Sequence, residues 1–418
     1  MTGTRLTKLS VAIGLSIATT SALASPQSFM SARSFAMGGT GVAVAHPSDA
    51  AATNPALMAG NHHDWADDFG LQLLSVNAQV ADEEETVDQV DEIQDTIDDF
   101  EQAINDLNQT EAENQAGKLR DQLQAFDQDT ARVNAGLGLS IAFPGKQLSV
   151  GVFTNGNLTA TVRGEYDEDD DTILAAIENG ALPAPGVTDT LESRGKILAS
   201  AVTEVGVSFA REFELSNGQR MQLGVSPKYV NLQTFQYTET ISGFEDDEFD
   251  GDQYQTDKSG FNLDIGATYA FGEEQQWNAG IVVKNLIPME LDSAASRPLL
   301  GEKVRTLELN PMATVGIAHK SEFHVVTAEI DLTKKEAFGF EDDTQWLALG
   351  AEFDAFRYAQ LRVGVRHNLA SNDDNDGIEE STQFTAGLGL NILGARLDLG
   401  ALYSDADVGA ALEIGTAF

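Results

Sequence analysis

The stretch "VNAGLGLSIAF", Val133–Phe143, alternates without a break. Val133, Ala135, Leu137, Leu139, Ile141 and Phe143 fall on one face, and Asn134, Gly136, Gly138, Ser140 and Ala142 on the other. A period of two marks a β-strand, whose successive side chains point to opposite sides. The polar face decides the architecture. A soluble sandwich would carry Lys and Glu on its solvent side, whereas this face is built from Gly, Asn and Ser. About ten residues, apolar on one side and small or polar on the other, fit a strand of a transmembrane barrel with lipid outside.

The pattern recurs. In "FNLDIGATYAF", Phe261, Leu263, Ile265, Ala267, Tyr269 and Phe271 oppose Asn262, Asp264, Gly266 and Thr268, and "FTAGLGLNI" and "ARLDLGALY" repeat it near the end. About fourteen such segments begin near residues 70, 132, 147, 197, 219, 259, 276, 308, 323, 345, 358, 381, 395 and 407. An even number suits a barrel, which must close because lipid cannot satisfy an open sheet edge. The links alternate between short turns ("PGK", "LSNGQ", "GEEQ", "KSE", "DAFR", "ILG") and longer, often acidic loops such as "EYDEDDDT", "FEDDEFDGD" and "SNDDNDG". Tight turns face the periplasm and long loops the exterior, so both termini are expected in the periplasm. The small-residue face also carries Asp264, Lys284, Glu352, Arg362, Arg366, Arg396, Asp398 and Glu413, expected to be lumen charges. The reading is all-β: an antiparallel transmembrane β-barrel of about fourteen strands over residues 69–418.

The start of the chain agrees with export. Arg5 and Lys8 precede an apolar run, Val11–Ala22, and Ala22-Leu23-Ala24 makes a cleavage signal, so residues 1–24 read as a signal peptide. No later run reaches the roughly 18 apolar residues of a spanning helix. Sixty-six acidic residues against 25 basic ones give a formal charge of −41, which excludes a nucleic-acid partner. Without cysteine there are no disulfides, thiolate metal sites or cysteine nucleophiles. No G-x-S-x-G elbow, H-E-x-x-H pair or Walker loop occurs, and the six His, including the adjacent His62 and His63, are scattered. No catalytic residue, enzyme activity or cofactor is expected.

Two insertions stand out. Between the first two strands, Val90, Ile93, Ile97, Phe100, Ile104 and Leu107, then Ala116, Leu119, Leu123 and Phe126, recur at three- and four-residue steps. Residues 83–128 are therefore read as an extracellular amphipathic helical insertion at the barrel mouth. Ile173–Ile177 suggests a further short helix in the next long loop. The acidic stretch with Asp246, Glu248, Asp250 and Asp257 has roughly calcium-loop spacing, but Glu at the third position and Asp at the twelfth depart from the pattern. Solvated loops with loose divalent-cation bridging are the default expectation there.

Finally, "ARSFAMGGTGVAVAHPSDAAATNPALMA" follows the signal, within residues 25–68. It resembles the mature N-terminus of the FadL-like superfamily of outer-membrane transporters: a Gly-rich segment (Gly38, Gly39, Gly41), an Asp-Ala stretch, then Asn54-Pro55-Ala56. Leu57 stands where that family carries Gly. The acidic helical first loop and the "FAMGGTGVA" opening look most like the conjugal-transfer TraF-type outer-membrane family. The resemblance spans essentially the whole mature chain.

The resemblance implies that residues 25–68 fold into the lumen as a hatch. A hydrophobic ligand of the fatty-acid or hydrocarbon class would be collected at the rim, and would leave sideways through a kink in the third strand. Asn155-Gly156-Asn157 is the expected kink, with Asn54–Leu57 as its hatch partner. The terminal Phe418 resembles the signal read by the barrel-assembly machinery. The implied role is passive transport across the outer membrane of a Gram-negative bacterium, with outer-membrane lipid around the barrel. The alternative is a non-transporting barrel, accessory or structural, in conjugal transfer or envelope assembly.

Overall fold

The computed structural model describes residues 29–59, 70–82, 85–145, 147–216, 218–243, 251–355, 358–371, 378–379 and 381–417. The signal peptide, His62, His63, Asp246, Glu248, Asp250 and Phe418 lie outside the described residues. The chain forms a closed antiparallel barrel. Its first seven strands are β1 (Gly70–Asp82), β2 (Thr130–Phe143), β3 (Ser149–Glu165), β4 (Arg194–Glu214), β5 (Arg220–Thr240), β6 (Gln255–Phe271) and β7 (Trp277–Lys284). A separate hairpin, β8 (Met289–Asp292) and β9 (Thr306–Leu309), interrupts the order. The wall resumes with β10 (Met312–Lys320), β11 (His324–Asp331), β12 (Trp346–Ala355), β13 (Ala359–Asn368), β14 (Thr382–Ile392), β15 (Ala395–Tyr403) and β16 (Asp407–Ala417). Fourteen strands close the ring, with β16 paired to β1.

The alternation works as the sequence implies. Val133, Leu137, Leu139 and Phe143 are 39–49% exposed on the outside of β2, while Asn134, Ser140 and Ala142 are buried inside. About 9–11 tilted residues cross a bilayer, so β4 and β5, with 21 residues each, stand well beyond it. Short links after β2, β4, β6, β10, β12 and β14 lie together at one end of the barrel, the end expected to face the periplasm. There Tyr269, Phe271, Trp277 and His319 form a chain of ring contacts at 4.7–6.3 Å, in the manner of an interfacial aromatic girdle. Among the described residues no helix is long and apolar enough to cross a membrane.

The N-terminal segment enters the lumen as α1 (Ala32–Ala36), α2 (Pro47–Thr53) and a 3-10 turn, Pro55–Ala59. The first long loop makes α3 (Thr86–Asn105) and α4 (Gln109–Ala125), and the second makes α5 (Glu168–Glu178). Ile93, Ile97, Phe100, Leu119, Leu123, Phe126, Leu174 and Ile177 bury one another in a satellite core. A gap beneath it is walled by Ile93, Phe126, Val162 and Ile197, which places the helices against the extension of β3–β5. One seam residue departs from expectation. Leu107 is 91% exposed, because the helix has ended and its backbone turns to φ 54°.

A second cluster closes the mouth from within. Leu198, Val202, Val230 and Leu232 of β4 and β5 pack on Met289, Leu291, Leu307 and Leu309 of the hairpin. Phe338 and Phe340, from the loop after β11, complete it.

Candidate functional site

The lumen is filled by a segment whose local chemistry makes it compact. Ser31 caps α1, its hydroxyl accepting the Ser34 amide at 3.2 Å. Gly38 and Gly39 then turn the chain with φ of 73° and 87°, a conformation that side-chain-bearing residues rarely adopt. His46 caps α2, with Pro47 as the opening residue where no amide hydrogen is needed. Asn54 ends it in an extended conformation, and its Oδ1 accepts the Ala56 amide at 3.2 Å.

The barrel receives this segment on a belt of glycines. A Cβ on Gly364 would overlap Gly38 and Met37, and one on Gly280 would overlap Val42 and Ala43. One on Gly266 would strike the Asn54 side chain, and one on Gly224 the backbone of Pro55 and Ala56. Gly387 faces Ala36 and Gly151 faces Ala51 in the same way. The glycines that gave the strands their small face are thus the footprint of the N-terminal segment, whose backbone and short side chains lie directly against the wall.

Polar ties complete the seat. Glu329 of β11 accepts three consecutive hatch amides, from Gly41 at 2.9 Å, Val42 at 2.8 Å and Ala43 at 3.1 Å. The Asn54 amide donates to the Val42 carbonyl at 2.8 Å and lies 3.4 Å from the Ile281 carbonyl of β7. Lys284 donates to the Ala52 carbonyl at 2.8 Å, Asn278 to Ala43 at 2.6 Å and Ser208 to Ala51 at 2.7 Å. The Gly38 amide donates to Thr385 at 2.9 Å.

All eight sequence-read charges sit on strand positions that face the lumen. Arg362 bridges Glu352 at 2.6 Å and Asp398 at 2.5 Å; Arg396 lies 2.8 Å from Asp398 and also pairs with Glu413. From the hatch, Arg33 holds Glu352 in a two-pronged contact at 2.9 and 3.0 Å, and Asp49 lies 3.4 Å from Arg396. Asp264 belongs to another group, 2.9 Å from Lys228, which also contacts Glu204 at 2.6 Å. Arg366 donates to Gln383 at 2.6 Å and lies 4.3 Å over the Trp346 ring.

The sequence reading missed Glu329, Arg33, Asp49 and Lys228. Glu329 carried the same signal as the charges that were named: in "HVVTAEID" it shares a face with Val325 and Thr327.

The expected kink is absent. β3 runs through Asn155, Gly156 and Asn157 in unbroken register with both β2 and β4. Asn155 is buried on the lumen side, and Gly156 simply pairs with Leu137 and Thr203. Of the expected partner segment Asn54–Leu57, Asn54–Ala56 meet Gly224, Gly266 and Ile281 on β5–β7, while Leu57 shares a buried cluster with Phe153 of β3. The irregularity in the wall lies in β1 instead, where both ladders shift register between Gln72 and Ser75. Of the acidic-loop residues, Asp257 lies within β6, paired with Gln233.

A cavity of about 100 Å³ remains behind the Gly38–Gly39 turn, walled by Phe29, Met30, Val282, Met312 and Trp346 together with Lys284, Glu329, Asp331, Lys335 and Arg366. Met312, Asp331 and Trp346 are end residues of their strands on the loop side. The cavity therefore lies toward the long-loop end of the barrel, beside the N-terminal segment. Burial pushes the Lys335 ammonium below its ordinary range, with Asp331 pulling against that shift.

The family model described as "F plasmid transfer operon, TraF, protein" matches residues 51–331. The toluene transporter TbuX of Ralstonia pickettii is similar in structure, with a TM-score of 0.52 at 12% identity, over 94% of this chain and 99% of that one. CymD, a monoaromatic hydrocarbon channel, gives 0.53 at 12% identity over 93% and 98%. A TodX deltaS2S3 mutant, also a monoaromatic hydrocarbon channel, gives 0.52 at 13% identity over 93% and 99%. At these identities what is shared is the fold, that of an outer-membrane barrel. No curated protein sequence matches the chain.

Proposed function

The chain belongs to the family described as F plasmid transfer operon, TraF, protein, and from that premise we propose that it is an outer-membrane channel for passive passage of small hydrophobic molecules, closed at rest by its own N-terminal segment. The observation that carries the reading is how the lumen is closed. The lumen is filled by the N-terminal segment, seated on glycines and held by hydrogen bonds, with a partly apolar cavity behind it. A barrel meant only as a wall could fill its lumen with its own side chains. The similar structures named for toluene and monoaromatic hydrocarbons support the class of cargo and no more.

Export by residues 1–24 and assembly through a terminal Phe418 belong to the same proposal, as do lipid around the wall and the absence of catalysis. The cargo would be released by displacement of the hatch, since β3 offers no break.

One observation favours a second reading. The ion-pair chain Glu352–Arg362–Asp398–Arg396–Glu413 is buried and links wall strands to one another, as a static accessory barrel in conjugal transfer would have it. The test is uptake of toluene and of a fatty acid in a deletion strain, complemented with wild type and with Asn54→Ala. The channel reading expects uptake to fall on deletion, to return with wild type, and to change with Asn54→Ala. Identical uptake of both compounds in all strains overturns it in favour of the static barrel.

A further inference from the structure

The residues between β11 and β12 do not stay at their own side of the barrel. They form a pinched loop, in which the Lys335 and Thr344 backbones exchange hydrogen bonds at 2.9 and 3.0 Å and Lys334 pairs with Asp343 at 2.5 Å. Its ends are held together, as in an Ω-loop, so the residues between them form one compact body. The tip of that body reaches β3. The Phe340 amide donates to the Thr161 hydroxyl at 3.3 Å, and a Cβ built on Gly339 would strike the same side chain. In the ring order β3 stands seven places from β12, half-way round the fourteen strands. The loop therefore crosses the bore. Along β3, Thr161 lies ten residues beyond Gly151, against which Ala51 of the hatch rests. At a rise of about 3.3 Å per residue that is about 33 Å along the strand, toward the long-loop end.

The crossing is fastened by side chains and not by a ladder. Among the described residues, β3 pairs with β2 and β4 and with no strand of the loop. The guanidinium groups of Arg163, on β3, and Arg305, beside β9, lie 4.6 and 4.9 Å from the centre of the Phe340 ring. Arg305 also donates to the carbonyls of Phe338 and Gly339, at 3.2 and 3.1 Å. Phe338 and Phe340 join the apolar cluster that the hairpin makes with β4 and β5. The two insertions thus meet on one inner patch of wall, and Arg305 ties them together.

We infer that residues 335–344 are an outer gate, a strap that closes the mouth while Phe340 is seated beside Arg163 and Arg305 and swings from its Lys335–Thr344 neck to admit cargo. The inference rests on the channel reading and adds to it a barrier that the N-terminal segment does not supply. Cargo from outside meets the strap before the hatch. The fastening suits release, because no strand ladder has to break. A hydrophobic molecule that reaches the β4–β5 patch also covers the apolar surface that the departing strap uncovers.

The chain has no cysteine, and the approach of Gly339 to Thr161 is close enough for a disulfide once both are Cys. The probe is toluene uptake by the deletion strain carrying Thr161→Cys/Gly339→Cys, before and after a membrane-impermeant phosphine reductant. A non-reducing gel follows the cross-link, and heat-modifiable migration follows the fold. Uptake should fall at least tenfold with the cross-link formed and return on reduction, while each single Cys variant should be indifferent to the reductant. Equal uptake by the cross-linked and reduced barrels overturns the gate. Phe340→Ala is an independent arm. With the hatch loosened by Glu329→Gln, adding Phe340→Ala should raise planar-bilayer conductance at least threefold, and equal conductance overturns the gate as well. A wild-type barrel that takes up no more toluene than the deletion strain overturns the channel reading itself, and the gate with it.

Discussion

The three-amide contact of Glu329 is the tie whose loss should most loosen the hatch. Glu329→Gln keeps the size of the side chain but changes what it can accept. The carboxylate takes Gly41 on one oxygen and Val42 and Ala43 on the other. Glutamine retains one acceptor oxygen and turns an NH2 group toward the remaining amide, donor against donor. Hydrogen bonds to a charged group contribute about 1.5–3 kcal/mol each, and a buried unsatisfied donor costs about 1–3 kcal/mol. Offsetting this, a neutral side chain is cheaper to bury than a carboxylate 5% exposed. The net loss is about 2–4 kcal/mol of seating energy, or roughly thirty- to several hundredfold in the closed-to-open ratio. The chain has no cysteine, so a single introduced thiol reports on the hatch. Ala43→Cys puts that thiol at the clamp itself, at a site 0% exposed. Maleimide labelling of Ala43→Cys should accelerate at least tenfold when Glu329→Gln is added, with bilayer conductance rising in parallel. Labelling and conductance within twofold of the parent, in a folded barrel, would refute the latch.

The glycine belt makes a matched pair. Gly364→Val drives a side chain into Gly38 and Met37, so Ser34→Cys should label rapidly in the barrel that assembles. Gly195→Ala enters open space and should leave the labelling rate unchanged. Phe100→Ala removes the centre of the helical cap and should cost it about 3–5 kcal/mol; hydrogen exchange should quicken in α3–α5 and stay unchanged in β10–β16. The cap should also respond to acid. The Arg120 guanidinium, 2.6 Å from Asp171, holds that carboxyl below its usual range. Because the folded value is the lower one, the contribution is full above the unfolded carboxyl value of about 3.9 and is lost as pH falls through the depressed one. The pair is exposed, so the effect is modest. Exchange in α4 and α5, corrected for intrinsic rate, should rise in that acid window and lose its pH dependence in Asp171→Asn.

Strand content and closure were legible because alternation is local and lipid imposes it on every strand. The boundary near residue 308 shows the limit. Thr306–Leu309 and Met312–Lys320 both alternate, and the sequence reads them as one strand. Asn310 and Pro311 in fact separate a mouth hairpin from a wall strand. That the eight charges would face inward followed from parity; their partners did not, since Arg33 meets Glu352 across more than three hundred residues. The Asn155–Asn157 kink failed for a related reason. Glycine permits a break but does not demand one, and continuous neighbours on both sides kept β3 regular. The helical insertion was legible from its seam, except at Leu107, where the seam ran one turn past the helix.

The buried charges bear on gating through their distribution. Glu352, Arg362, Asp398, Arg396 and Glu413 all belong to the barrel, and their mutual contacts do not involve the hatch. When α1 departs, Arg362 and Arg396 each keep two carboxylate partners. Only Arg33 and the Ala32 amide leave the network with it, and Arg33 exchanges it for water, whereas Asp49, on α2, keeps its contact with Arg396. The ion pairs therefore line a lumen more than they fasten a plug. The opposite side behaves differently: Glu329 would lose its three amides, and Lys284, Asn278 and Ser208 their hatch carbonyls. Seating energy is thus weighted toward β4–β11, and the β13–β16 side, where α1 lies, is the weaker edge. Opening should start at α1 and pivot about the Val42–Asn54 region. A thiol at Ser34 should then label faster than one at Ala43 in the otherwise unaltered barrel. The reverse order would mean that the charged network, not the amide clamp, holds the hatch.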